Sequence, residues 1–94
     1  MTSYKFDGKV LKDSSFRKIA EVDGDTIKDA SFRKVGEIDG KYIKDASFRR
    51  IAEFDGRDIK DSSFKRIGTI DDVRKAIDGP GGITLVALWM FFVR

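Results

Sequence analysis

Four phenylalanines recur at intervals of sixteen residues, and each precedes two basic residues. An aromatic ring beside a pair of cations can bind a polyanion, because the cations pair with its charges while the ring offers a stacking surface. Acidic residues are interleaved in similar number, so cross-strand neutralisation is the other interpretation, and we favour it. The basic residues selected as polyanion contacts directly follow the four phenylalanines: Arg17, Arg33, Arg49 and Lys65.

An Asp-Gly pair recurs with the same period and raises the question of calcium, which needs several oxygen ligands at defined positions. The residue after the pair is acidic in one unit and basic in the other three, so no ligand set recurs. Because Gly adopts positive φ freely and Asp tolerates it, the pair favours a two-residue type I′ hairpin turn. We therefore expect corners without a metal at Asp7-Gly8, Asp23-Gly24, Asp39-Gly40 and Asp55-Gly56.

The chain contains neither histidine nor cysteine, which removes the usual general base, the commonest metal ligand and any thiolate. Its 94 residues make one small domain with little room for a deep core. The carboxylates recur with the repeat, as structural residues do. We expect no enzymatic activity, no catalytic residue and no cofactor.

Each sixteen-residue unit contains a second turn signal, an Asp followed by Ser or Ala, Ser and Phe. This Asp can accept a hydrogen bond from the backbone two residues further on. Between the two signals lie short runs rich in β-branched residues, which have ordinary strand length. Residues 4–70 therefore predict an all-β fold, a single-layer antiparallel meander of β-hairpin repeats with about nine strands. A β-solenoid with sixteen residues per coil is the alternative.

The apolar residues of a unit lie three apart, as Ile19 and Val22 do, and an odd separation places two side chains on opposite faces of a strand. With Asp-Gly at the centre of the turn, Val22 lies opposite Asp25 and Ala20 lies opposite Ile27. We therefore expect no continuous apolar face and a sheet that is hydrated on both sides.

After the repeats, residues 71–79 predict a short helix that Asp71 caps and that Gly79 ends. The remaining residues, 80–94, form an apolar C-terminal segment. Within it, residues 83–93 contain a single polar residue, Thr84. This run is shorter than the roughly 17–25 residues of a membrane-spanning helix, and its periodicity leaves strand and helix open.

Burial of the apolar segment within the chain or in a homo-oligomer is the first interpretation, because an exposed run of this kind causes aggregation. Docking to a membrane interface, with Arg94 at the headgroups, is the second. The residues expected at an interface with a second copy or another partner are Leu85, Val86, Leu88, Trp89, Met90, Phe91 and Phe92, of which Trp89 to Phe92 would meet a membrane.

The repeated phrase Ile-x-Asp, a short polar loop, then Ile-Gly/Ala-x-Ile-Asp-Gly covers residues 4–70. It resembles the tandem β-hairpin repeats of small gut-bacterial proteins that form free-standing single-layer sheets. The resemblance implies a secreted or surface location and a link to complex-carbohydrate metabolism, and it carries over no catalytic residue. The chain departs from that pattern where Phe replaces Asn or Gly in the polar loop, and it shows no signal peptide, which by default indicates the cytoplasm.

Together these patterns predict a non-enzymatic structural or binding scaffold that self-associates through its apolar C-terminal segment. A module that binds polysaccharide or another polyanion is the first alternative, and a protein at the membrane surface is the second. We do not expect nucleic acid as a partner.

Overall fold

The computed structural model describes residues 4–94, and its ten strands form one sheet. The strands are β1 (Tyr4–Phe6), β2 (Val10–Asp13), β3 (Lys18–Asp23), β4 (Thr26–Asp29), β5 (Lys34–Asp39), β6 (Tyr42–Asp45), β7 (Arg50–Phe54), β8 (Asp58–Asp61), β9 (Arg66–Thr69) and β10 (Ile77–Asp78). From β1 to β9 each strand pairs antiparallel with the next along the chain. The predicted meander is confirmed, and the solenoid alternative is wrong.

The segment after the repeats is helical for most of its length. Helix α1 spans Ile70–Ala76, helix α2 spans Ile83–Leu88, and a π-helical stretch continues α2 over Trp89–Val93. We call residues 83–93 the C-terminal helix. The run whose periodicity fits both strand and helix is therefore helical.

Helix α1 differs from its predicted bounds at both ends. Its N-cap is Thr69 and not Asp71, and the Thr69 N–H donates to Asp72 Oδ2 over 2.9 Å. It ends at Ala76 because the next two residues leave the helix and form β10. Strand β10 pairs in parallel with β1, at the opposite end of the strand order from β9.

This connection requires the sheet to curl. A flat sheet of ten strands would be about 43 Å wide, because neighbouring strands lie about 4.8 Å apart. Helix α1 has seven residues, and a helix of that length reaches only about 10 Å. Since α1 joins β9 to the strand beside β1, the two edges of the sheet must lie close together. The longest dimension of the molecule is 35 Å, which agrees with a curled sheet.

The Asp-Gly turns lie at the hairpins, as predicted, but their centre is one residue further along the chain. Asp23 pairs with Thr26, so the two central residues of this turn are Gly24 and Asp25. The φ angle of Gly24 is +63°, as in a type II′ turn, which places Gly at its first central position. The predicted type I′ turn is wrong here, and the turn at Gly40 follows the same pattern.

The shifted centre changes every cross-strand partner in the hairpin. Val22 lies opposite Ile27, and Ala20 lies opposite Asp29. The predicted pairs of Val22 with Asp25 and of Ala20 with Ile27 are therefore wrong. With apolar residues opposite one another, one face of the sheet becomes continuously apolar, and the expectation of two hydrated faces is wrong as well.

A β-bulge in each repeat completes this face. In the second repeat Ile27 pairs with Gly36 and Lys28 pairs with Lys34, so Val35 is an extra residue. A bulge places two residues opposite one and re-aims the side chains, and Val35 packs against the apolar core. Apolar residues three apart, such as Val35 and Ile38, thereby contact the same core. We call this side of the sheet the inner face and the other side the outer face.

The C-terminal helix packs against the inner face. Four of its consecutive residues, 85–88, are completely buried. A methyl group added to Gly36 would meet the ring of Phe91, and one added to Gly68 would lie 3.1 Å from Trp89. The curled sheet therefore encloses the C-terminal helix, and the outer face is its convex side.

Candidate functional site

The outer face carries pairs of cations that lie directly opposite one another on neighbouring strands. The first pair comes from β2 and β3, and one further pair follows in each repeat. Like charges in direct opposition destabilise a sheet, so these pairs have an unfavourable effect on folding. The four pairs are Lys12 with Lys18, Lys28 with Lys34, Lys44 with Arg50 and Lys60 with Arg66. We call them the cation ladder.

Glutamates offset the cation ladder only in part. Lys18 Nζ lies 3.0 Å from Glu21 Oε1, and Lys34 Nζ lies 3.3 Å from Glu37 Oε1. Glu21 and Glu37 also lie opposite a lysine of the next strand. Glu53 lies opposite Lys60. Aspartates pair with three further ladder cations: Lys28 with Asp23 at 3.7 Å, Lys44 with Asp39 at 2.9 Å and Arg66 with Asp58 at 3.8 Å. Cross-strand neutralisation, the favoured interpretation of the sequence, is therefore present but incomplete.

The loops at one end of the strands each expose a phenylalanine in a left-handed backbone conformation. The four φ angles lie between +63° and +65°, and the side chains are 63–74% exposed. For a bulky residue, positive φ is a genuine outlier. The residues are Phe16, Phe32, Phe48 and Phe64.

The loop backbone is held by an aspartate and not by the phenyl ring. In the second repeat, Asp29 Oδ1 accepts hydrogen bonds from the N–H groups of Ser31 and Arg33 over 2.8 and 3.0 Å. The Phe32 N–H donates to the Asp29 carbonyl over 3.0 Å, and the Asp29 N–H donates to the Arg33 carbonyl over 2.9 Å. The predicted bond from Asp to the backbone two residues on is confirmed in all four loops.

Cations of the ladder lie over the rings of the following repeat. Lys18 Nζ is 4.1 Å from the centroid of the Phe32 ring, and Lys34 Nζ is 4.5 Å from that of Phe48. Arg50 lies 5.9 Å from the centroid of Phe64. These distances allow cation–π attraction. The phenyl rings and the cation ladder therefore form one continuous surface on the outer face.

The four residues predicted as polyanion contacts lie in the same loops. All of them are exposed, and the Arg17 side chain retains 80% of its accessible surface although its Nε lies 3.5 Å from Asp13 Oδ2. The structure thus places Arg17, Arg33, Arg49 and Lys65 in the same exposed loops as the rings. The cation ladder itself was missed, because its pairing follows from the β-bulge, which has no signal in the spacing of the lysines.

Carboxylates near this surface are held in their charged form by backbone N–H groups. The N–H of Arg17, then that of Ser15, keep the pKa of Asp13 below its ordinary value. In the Asp-Gly turns, the N–H groups of Val10 and Lys9 do the same for the pKa of Asp7. Other turn carboxylates do pair with the cation ladder, because Asp23 and Asp39 lie 3.7 and 2.9 Å from Lys28 and Lys44.

The residues predicted as an apolar interface divide into two groups. Leu85, Val86 and Leu88 are completely buried against the inner face of their own chain. The others, in the range 89–92, are half-buried and pack against the same core. The structure therefore places the first group in the interior of the chain.

The other features that bear on function in residues 4–94 are groups of metal ligands, membrane-spanning helices and clefts. Over that range no group of three or more acidic side chains is placed to hold a metal ion. No helix in the same range is long and apolar enough to cross a membrane. A cleft of about 350 Å³ opens beside Phe16, between Lys5, Lys12 and Asp78, and it adjoins the outer face.

Comparison with known proteins does not assign the chain to a class, because no family model, no curated protein and no solved structure matches it.

Proposed function

We propose that the chain is a non-enzymatic binding module, a single-layer sheet of sixteen-residue hairpin repeats whose outer face binds a linear polyanion. The cation ladder carries this proposal. Opposite charges face one another across β3 and β4, β5 and β6, and β7 and β8, but each following junction places two cations opposite one another, and such a pair destabilises a sheet. A polyanion that lies across the strands relieves this repulsion and releases its counterions.

The repeat suits a long ligand. Successive cation pairs lie two strands apart, which is about 10 Å. A linear ligand that crosses the strands therefore meets equivalent contacts at regular distances. Affinity then rises with ligand length, as expected for a surface built from identical units.

Self-association through the C-terminal segment, the leading function at the level of sequence, has less support. It depends on apolar side chains that can reach a second molecule. Leu85, Val86 and Leu88 are enclosed by the sheet of their own chain. Only the half-buried part of the segment, residues 89–93, remains for such a contact.

Retention on heparin tests the proposed function. We expect the protein to bind heparin at low salt, with an affinity that falls linearly on a double-logarithmic plot against salt concentration. Replacing Lys28→Gln and Lys34→Gln together should lower the slope of that plot by about two. Replacing Arg74→Gln and Lys75→Gln together, both exposed on α1, removes the same two charges away from the ladder and should leave the slope nearly unchanged. Absence of retention at low salt would exclude the proposal.

A further inference from the structure

The exposed rings contribute little that folding requires. Asp29 closes its loop with backbone hydrogen bonds that would be the same for any residue at position 32. The Phe32 side chain remains 63% exposed and its backbone lies in a region that Gly or Asn adopts more easily. An apolar ring kept at such a position four times points to a contact outside the chain.

The cation count per repeat matches the charge spacing of a nucleic acid strand. In the second repeat, Lys28 and Lys34 belong to the cation ladder and Arg33 extends from the loop beside them. The repeat advances by about 10 Å, and a nucleic acid strand carries one phosphate per roughly 3.4 Å. Three cations therefore stand where about three phosphates would lie, and two of those phosphates would displace Asp23 from Lys28 and Glu37 from Lys34.

The ring spacing and the curvature favour a flexible strand. A phenyl ring occurs once per repeat, and bases stack on such rings with little regard to sequence. A duplex hides its base faces and is stiff over about 150 base pairs, so it would touch a convex surface at one point. A single strand can follow the curl of the sheet.

We propose that the polyanion is single-stranded nucleic acid, whose phosphates pair with the cation ladder and whose bases stack on the four exposed phenyl rings. This inference rests on the proposed function and goes against the expectation from sequence that nucleic acid is not a partner. From Phe16 to Phe64 the surface extends over six strand spacings, about 29 Å. It therefore covers about nine nucleotides.

Fluorescence anisotropy with a ~10-nucleotide oligothymidine tests the inference, with a duplex of the same length and inorganic polyphosphate as comparison ligands. We expect the single strand to bind more tightly than the duplex. Replacing Phe32→Gly and Phe48→Gly together should weaken binding of the single strand about tenfold or more and leave binding of polyphosphate unchanged. The matched variant with Phe32→Tyr and Phe48→Tyr retains the rings and should retain binding.

Two results would overturn the inference while leaving the proposed function intact. One is that the glycine variant binds oligothymidine and polyphosphate equally more weakly than the parent, or binds both as tightly as the parent. The other is weaker binding of a heparin oligosaccharide to the glycine variant together with unchanged binding of oligothymidine. That result would indicate a carbohydrate ligand. Absence of binding to polyphosphate, heparin and oligothymidine alike would instead exclude the proposed function together with the inference.

Discussion

The phenylalanines of the four loops show how a single residue can work against local stability. A left-handed conformation costs an ordinary residue roughly 1–2 kcal/mol. The cation–π contact between Lys18 and the ring of Phe32 stabilises the fold by roughly 0.5–1 kcal/mol at an exposed site. The balance is unfavourable, and burial does not correct it because the side chain is largely exposed. Under the proposed binding function, contact with a ligand accounts for a ring at this position.

Substitutions at Phe32 separate the backbone effect from the ring. Phe32→Ala removes the ring and its cation–π contact but keeps the strained φ of +65°. Phe32→Gly removes both the ring and the strain. We expect the glycine variant to have the larger free energy of unfolding, by about 1 kcal/mol, as measured by urea denaturation. Equal stability of the two variants, or a more stable alanine variant, would show that position 32 is not strained in solution.

At the scale of the strands, the sequence predicts the antiparallel meander correctly but misplaces the turn centre by one residue and with it the partners across the hairpin. The Asp-Gly motif fits two turn centres, and choosing Asp23-Gly24 over Gly24-Asp25 shifts every pair in the hairpin. The bulge at Val35 then moves the apolar residues onto one face. Both choices are decided by burial against the C-terminal helix, and the local pattern of a strand does not contain that information.

The same helix explains why glycine and alanine alternate at one position of the repeat. Ala20 and Ala52 are buried, whereas Gly36 and Gly68 occupy the equivalent positions where large rings approach. A methyl group at Gly36 would meet the Phe91 ring and lie 2.5 Å from the Lys44 carbonyl oxygen. These glycines therefore shape the inner face for the helix.

We expect Gly36→Ala to lower the free energy of unfolding by about 1–3 kcal/mol, the usual range for overpacking of a core. Gly68→Ala is the matched control. There the added group would lie 3.1 Å from the edge of the Trp89 ring, a contact that a small shift relieves, so its loss should be smaller. Urea denaturation of both variants gives the comparison. A Gly36→Ala protein as stable as the parent would mean that Phe91 does not pack on β5.

At the scale of the whole molecule, the decisive feature is the pairing of β10 with β1, which brings the two ends of the strand order together. The sequence indicates a helix near residues 71–79 but not that its last residues become a strand. A two-residue strand has no periodicity to detect, and its partner lies more than seventy residues earlier in the chain. The curl, and with it the convex outer face, could not be predicted from local patterns.

The apolar C-terminal segment also shows that local patterns do not predict long-range contacts. Its composition predicts burial, and the structure confirms that residues 85–88 are buried. Composition alone does not say which surface does the burying. Here the inner face of the same chain buries residues 85–88, because the type II′ turns and the bulges align the apolar residues of the sheet into a concave surface.

A chain that ends at Gly82 tests whether the C-terminal helix completes the core. Burial of a large aliphatic side chain contributes about 1.5–3 kcal/mol, so the loss of Leu85, Val86 and Leu88 is comparable with the roughly 5–15 kcal/mol that stabilises a small domain. We expect the shortened chain to lose cooperative urea unfolding and to aggregate, whereas a chain that lacks only Arg94 should unfold like the parent. Circular dichroism and light scattering after size exclusion measure both properties. If the shortened chain is instead a folded monomer with the parent's unfolding midpoint, the helix is not part of the core. Its apolar residues are then free for the self-association that the sequence first suggests.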